Sequence, residues 1–326
     1  MPSFRPAERI KPPALSPGDV VGIIAPASNI DSQMLEAGCE VLRGLGYKPF
    51  YYDSIFEQEL YFAGSFERRM REFEEMFQRD EVKAIICARG GYGTNYLLQA
   101  LDPDMVRRHP KIFVGYSDLT NMLTYLYDRC GLVTFHGPMV TKDFALPDRV
   151  DLASWQAAVS GVKEWQVGAD SGAKPLVQGS ARGILYGGCV SLLVASLGTP
   201  YEIKTENTIL FMEDVSTKPY QMDRMLLQLK LAGKFQGVRG IIFGEMLDCI
   251  QHKDQGYTLD HVVKRIVGDL GIPVAYGLRS GHVSRGNITL PFGVNAELHV
   301  EGKDVSLKIL EAATTASGIA ASSLKS

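Results

Sequence analysis

The sequence predicts an α/β protein with an N-terminal doubly wound, mostly parallel sheet and a second α/β domain of mixed β structure. Three observations predict it. Short β-rich apolar runs alternate with helix-patterned segments through the first half, which is how βαβ units read in sequence. That alternation lapses after His136-Gly-Pro and resumes near residue 179. At 326 residues the chain also exceeds one small core, since domains run to ~100–200 residues.

Residues 1–15 read as an N-terminal extension. Four prolines and several charges stand where a secretory signal needs an unbroken apolar stretch. The N-terminal domain, 16–150, opens with the strand Val20–Ala25 and a helix from Asp31 to Arg43. Strands follow at Lys48–Tyr52, Val82–Ala88, Ile112–Gly115 and Leu132–Phe135. Helices fall between them at Phe66–Gln78, Thr94–Leu101 and Leu119–Cys130. In a parallel sheet of this kind, ligands bind at the carboxyl ends of the strands.

Residues 151–178, with two tryptophans and a Gly/Ser/Asp cluster at 168–172, read as a linker or domain crossing. The C-terminal domain, 179–311, has strands at Gly183–Tyr186, Thr208–Met212, Val238–Phe243 and Pro273–Ala275. Its helices are Val190–Leu197, Gln221–Ala232 and Leu259–Leu270. A β-meander from Ile288 through Leu298–Val300 to Val305–Ile309 closes it, and residues 312–326 read as a disordered tail. The uncharged run from Gly183 to Tyr201 is broken by glycines, serines and a proline. It reads as strand, glycine turn and short buried helix rather than a membrane span.

A net charge of −3 and a pI near 6.1 exclude the basic field that nucleic-acid binding requires. Cys39, Cys87, Cys130, Cys189 and Cys249 are odd in number and scattered, without metal-ligand spacing, and read as reduced core thiols of a cytoplasmic protein.

Four segments carry chemistry. In Lys111-Ile-Phe-Val-Gly-Tyr-Ser-Asp-Leu-Thr, Ser117 occupies the bend between a strand and a helix, where free N–H groups can stabilise an oxyanion. The bend resembles half of a nucleophile elbow, although Ser117 or Asp118 also reads as a plain N-cap. In Cys87-Ala-Arg-Gly-Gly-Tyr-Gly, the glycines fit a phosphate loop, an oxyanion donor facing Ser117, or a simple tight turn. In Phe211-Met-Glu-Asp-Val, two acids end a buried strand. Glu213 or Asp214 must have a partner there, whether in a salt bridge with Arg224 or in a catalytic arrangement. In Leu278-Arg-Ser-Gly-His-Val-Ser-Arg-Gly-Asn, His282 lies in a loop suited to moving protons. Its rival is His136, while His109, His252, His261 and His299 read as surface positions.

Together these segments resemble the serine LD-carboxypeptidases, which include murein tetrapeptide carboxypeptidases and microcin C immunity peptidases. The likeness runs from about Ser16 to Ile309. It rests on Arg89-Gly-Gly-Tyr-Gly, Gly115-Tyr-Ser-Asp-Leu-Thr, Phe135-His-Gly-Pro, Gly198-Thr-Pro-Tyr-Glu, Phe211-Met-Glu-Asp-Val, Pro219-Tyr-Gln-Met-Asp-Arg, Gly281-His and Thr289-Leu-Pro-Phe-Gly. The resemblance implies a triad with Ser117 as nucleophile, His282 as general base and Glu213 orienting the imidazole. It also implies an oxyanion hole from the backbone of Asp118, Gly90 and Gly91. By analogy the substrate is a cytoplasmic muropeptide ending in D-alanine, cleaved through an acyl-enzyme without metal or cofactor by a homodimer. Arg89, Tyr92, His136 and Arg285 are candidate substrate contacts. The chain departs from the pattern at Cys189, where asparagine is expected, and at Val283-Ser-Arg-Gly. Two other classes are a non-catalytic α/β protein binding a nucleotide or sugar phosphate at Gly90–Gly93, and a dinucleotide oxidoreductase, the latter disfavoured by its incomplete glycine fingerprint.

Overall fold

The apolar runs of the first half become the strands of one sheet in the computed structural model, which describes residues 8–168, 170–250 and 256–316. In chain order these are β1 (Val20–Ile24), α1 (Ser32–Gly44), β2 (Lys48–Phe50), α2 (Phe66–Gln78), β3 (Val82–Cys87), α3 (Pro103–Arg108), β4 (Ile112–Gly115), α4 (Thr120–Cys130) and β5 (Thr134–His136). Side chains set the helix starts: Asp31 accepts from the Met34 N–H, and Ser65 from that of Arg68. Gly131, in the left-handed conformation, stops α4.

The chain continues through α5 (Leu152–Val159), β6 (Trp165–Gln166), β7 (Lys174–Val177), β8 (Gly179–Cys189), α6 (Val190–Ala195), β9 (Thr208–Glu213), α7 (Pro219–Leu231) and β10 (Gly240–Gly244). It closes with α8 (Leu259–Val267), β11 (Val274–Leu278), β12 (Leu290–Phe292), β13 (Asn295–Glu301) and β14 (Asp304–Ile309). The first sheet has the order β12-β5-β4-β3-β1-β2 and the second β6-β14-β13-β8-β9-β10-β11-β7. Strands β1 to β5 are mutually parallel. The second sheet is mixed, with β8, β9, β10 and β11 parallel and antiparallel strands on both flanks. The two-domain α/β class read from the sequence is what the structure has.

Several elements differ from expectation. The helix expected at Thr94–Leu101 is one 3-10 turn, Thr94–Tyr96, whose first N–H donates to the Asp118 carboxylate. The meander splits, and Leu290–Phe292 pairs antiparallel with β5, so the C-terminal half lends the first sheet its edge strand. Residues 151–178 hold α5, β6 and β7, with Trp155 buried and both strands paired into the second sheet. Of the expected tail, Ala313 and Thr314 are buried and Thr315 bridges Pro13, while residues 317–326 lie outside those described. The N-terminal extension is likewise stitched on from Arg9, which donates to the Gly293 carbonyl, with Ile10 bonded to Gly131 and Val133. Among the described residues no helix is long and apolar enough to cross a membrane.

The halves meet along α4 and β8. The Tyr186 hydroxyl donates to Asp128 Oδ2 at 2.8 Å, and desolvation pushes that carboxyl up to about 6. Above that pH the hydroxyl supports a charge. Tyr186→Phe therefore costs about 1–3 kcal/mol in urea denaturation at pH 8, and less at pH 5, where Asp128 is protonated. An equal loss at both pH values contradicts this linkage.

Candidate active site

Ser117 is set by the end of β4. After Gly115 the chain turns through Tyr116 into a 3-10 turn, Ser117–Leu119, that leads into α4. A Cβ on Gly115 would stand 2.9 Å from Leu119 Cγ, so the bend closes only around glycine. Ser117 itself has φ +64°, a left-handed conformation that costs a non-glycine residue about 1–3 kcal/mol and is held by its surroundings. Its hydroxyl bonds to no described residue and is half-buried.

The Gly90–Gly93 loop stands directly against it. A Cβ on Gly90 would meet Ser117 Cβ at 2.9 Å and Oγ at 3.1 Å. Asp118 locks loop and elbow together: its carboxylate accepts from Thr94 N at 2.9 Å, and its carbonyl accepts from Thr94 Oγ1 at 2.6 Å. Burial pushes this carboxyl up to about 6. The Asp118 N–H lies in the first turn of its helix, where no intrahelical acceptor exists, and those of Gly90 and Gly91 meet no acceptor among the described residues. Gly90 is thereby brought beside the hydroxyl and the Asp118 N–H, while Gly91 packs on Ser28.

Glu213 ends β9 and is fully buried. Its Oε2 accepts from His282 Nδ1 at 2.7 Å and from the His282 backbone N–H at 3.0 Å. Gly281 and Gly244 make this approach possible, since a Cβ would fall 2.6 Å from Glu213 Cδ in the first case and 2.5 Å from its Cβ in the second. Burial alone would raise the carboxyl, but the facing His282 and His136 outweigh it and hold Glu213 well below the usual carboxylate range. Burial would lower His282, yet Glu213 and its hydrogen bond raise the imidazole above its ordinary value. Because Oε2 only accepts, Nδ1 carries the hydrogen and Nε2 keeps the lone pair of a base. Asp214 is satisfied separately by Ser191 N, Val215 N and Thr217 Oγ1. Arg224 pairs with neither acid and lies over the Tyr220 ring.

The His282 loop leaves β11 in the second sheet and enters β12 in the first, so both sheets anchor it. Within it, Gly281 N donates to Asn287 Oδ1 at 2.9 Å, and Asn287 Nδ2 reaches Asp143 Oδ1 at 3.3 Å. Asp143 sits in a π-helical turn, Val140–Phe144, a local distortion frequent at functional sites. The Tyr116 ring meets the His282 ring edge-on at 5.1 Å, which brings the residue before Ser117 against that imidazole.

His136 does not fit the role of substrate contact. It is fully buried, with Nδ1 at 3.0 Å from Ser280 Oγ and Nε2 at 3.9 Å from Glu213 Oε1. Arg89 donates to the Asn29 carbonyl and lines a hollow of about 200 Å³ with Thr141 and Lys142. Tyr92 is 44% exposed and stacks on Phe62. Arg285 is exposed beside Ser284, whose N–H bonds to Glu245. His261 is exposed, His109 and His299 are half-buried, and His252 lies outside the described residues. Sequence reasoning missed Asp143 and Ser280 as supports and Cys189 as a neighbour of Glu213 and His282. No local spacing signals these, because strand register and a loop closure bring them in.

The chain is similar to known proteins along most of its length. Residues 21–137 match the LD-carboxypeptidase N-terminal domain and residues 182–298 the LD-carboxypeptidase C-terminal domain. The chain is 40% identical to a probable murein peptide carboxypeptidase from Bacillus subtilis over 90% of this chain and 92% of the relative. It is 28% identical to the microcin C7 self-immunity protein MccF from Escherichia coli, over 90% of this chain and 94% of that one. Among solved structures, a muramoyltetrapeptide carboxypeptidase from Oxalobacter formigenes superposes with a TM-score of 0.81 at 30% identity, covering 91% of this chain and all of that one.

The strain at position 117 is measurable. Ser117→Gly, freed of the left-handed penalty, is more stable than Ser117→Ala by about 1 kcal/mol in urea denaturation, the reverse of the usual glycine cost. An alanine variant at least as stable as the glycine variant shows the elbow to be relaxed.

Proposed function

This chain belongs to the LD-carboxypeptidase family, and from that membership we propose that it is a serine carboxypeptidase that hydrolyses the L,D-peptide bond to a C-terminal D-alanine in muropeptides. The observation that carries the reading is the 2.7 Å bond between buried Glu213 and His282, with Ser117 strained at a strand end beside unpaired N–H donors.

In this reading His282 Nε2 takes the proton of Ser117 as Oγ attacks the carbonyl, and Glu213 fixes the tautomer and stabilises the imidazolium. The oxyanion accepts from the N–H groups of Asp118 and the Gly90–Gly91 turn. The imidazolium then protonates the D-alanine amine, which leaves an acyl-enzyme on Ser117, and a water activated by the same histidine releases it. Arg89, adjoining Gly90, and Arg285 on the base loop are the proposed partners of the terminal carboxylate, and Tyr92 of the peptide. Aminoacyl-nucleotide substrates of the microcin immunity type are the second reading, favoured by the similarity to MccF along most of both chains.

Purified protein in EDTA, given tetrapeptide and pentapeptide muropeptides, releases D-alanine from the tetrapeptide. Ser117→Ala abolishes release, and intact mass shows a phosphonate adduct on the wild type alone. Release that survives in Ser117→Ala excludes the serine mechanism, and cleavage of aminoacyl sulfamoyl nucleosides in place of the tetrapeptide selects the second reading. Since Glu213 raises the imidazole, neutral base accumulates only above that raised value. kcat/KM therefore climbs with pH through a midpoint above the ordinary 6.5. Glu213→Gln lowers kcat by roughly 10³–10⁴ and moves the midpoint down; an unmoved midpoint removes Glu213 from the mechanism.

A further inference from the structure

All five cysteines are buried and unpaired by disulfides, but Cys189 has exceptional neighbours. Strand β8 places it in parallel register opposite Glu213 on β9, and the base loop lays His282 over both. Cys189 Sγ, one Glu213 carboxylate oxygen and one His282 ring nitrogen all lie within 4.8 Å of one another. Among the described residues no other trio of His, Cys, Asp or Glu is so close.

A second observation concerns Glu213. Its Oε2 takes both bonds from His282, while Oε1 is buried without a hydrogen bond and faces His136 Nε2 at 3.9 Å. A buried carboxylate is costly, and a bound cation would offset part of that cost. Sulfur, imidazole nitrogen and carboxylate oxygen are together the donor set of Zn²⁺. Zinc bonds of roughly 2.0–2.3 Å put ligand atoms about 3.3–3.8 Å apart, so the trio needs to close by only about 1 Å, and a fourth position remains for water. His282, on a loop and with its side chain 18% exposed, is the point of entry.

We propose that Cys189, Glu213 and His282 form a binding site for a thiophilic divalent cation, with Zn²⁺ as the probe, and that its occupancy silences the catalytic pair. On binding, the Sγ–H bond breaks, its proton and any proton on the coordinating His282 nitrogen pass to solvent, and sulfur, nitrogen and carboxylate oxygen replace water on the ion. Burial raises the free thiol far above its ordinary range, so without metal Cys189 is a neutral and poorly reactive group. With metal bound, Glu213 and His282 are committed to the cation, and the imidazole no longer takes the Ser117 proton. The silencing rests on the hydrolase reading above, whereas the binding does not.

The test treats full-length protein with chelator and titrates Co²⁺. A thiolate-to-Co²⁺ charge-transfer absorption should appear at one ion per chain, vanish when Zn²⁺ is added, and be missing in Cys189→Ser. In the D-alanine assay Zn²⁺ inhibits the wild type and EDTA restores it. Cys189→Ser, folded by thermal melt and as active as wild type in EDTA, needs roughly tenfold more Zn²⁺ or beyond for the same inhibition. No absorption in the wild type, or equal zinc sensitivity in the two proteins, overturns the proposal. If the wild type releases no D-alanine, the absorption still decides the site while the hydrolase reading fails by itself.

Discussion

A carboxylate without exposed surface at the end of β9 governs the arrangement around it. Burying an isolated charge costs several kcal/mol or more, so Glu213 is stable as an ion only where donors are fixed in advance. His282 supplies two of them, from its ring and from its own backbone. Backbone and ring donors on one residue give a rigid fork, which orients the imidazole without help from substrate. Gly281 and Gly244 are the steric consequence, because a side chain at either would displace the carboxylate.

That fork is stiff because its loop belongs to both sheets. Ser280 donates to the Ile288 carbonyl across the base of the loop, and Asn287 ties Gly281 to Asp143 in the first half of the chain. On the opposite wall, Asp118 holds Thr94, so the Gly90–Gly93 turn and the Ser117 elbow move as one piece. Tyr116 lies between the walls, against both His282 and His136. Ser117, the Gly90–Gly93 turn and His282 are thus held by hydrogen bonds within each wall and by the Tyr116 ring between them.

Much of this was legible in the sequence because it is local. Continuous apolar runs such as Ile112–Gly115 declare buried parallel strands, and two acids after Phe211-Met demand a partner. The identity of that partner was not legible from spacing, since 69 residues separate Glu213 from His282; only the family resemblance pointed to it. The burial of His136 was equally hidden, because the strand that covers it, β12, comes from residues 290–292. Asp143 was silent, as a π-helical turn has no sequence signature comparable to an N-cap. Thr94–Leu101 has helical composition, yet it forms only the 3-10 turn Thr94–Tyr96, since propensity is a weak guide against tertiary context.

The exchange of β12 has an architectural consequence. Three residues from the far end of the chain cap the hydrogen-bonding edge of β5, and β13 returns at once to the other sheet. A fragment ending at the crossing would leave that edge bare, with the apolar Phe135 beside an open ladder, the kind of template on which chains aggregate. The two halves are thus laced rather than tethered, and gene fission or domain shuffling at their boundary is closed to this lineage unless the lace is rebuilt.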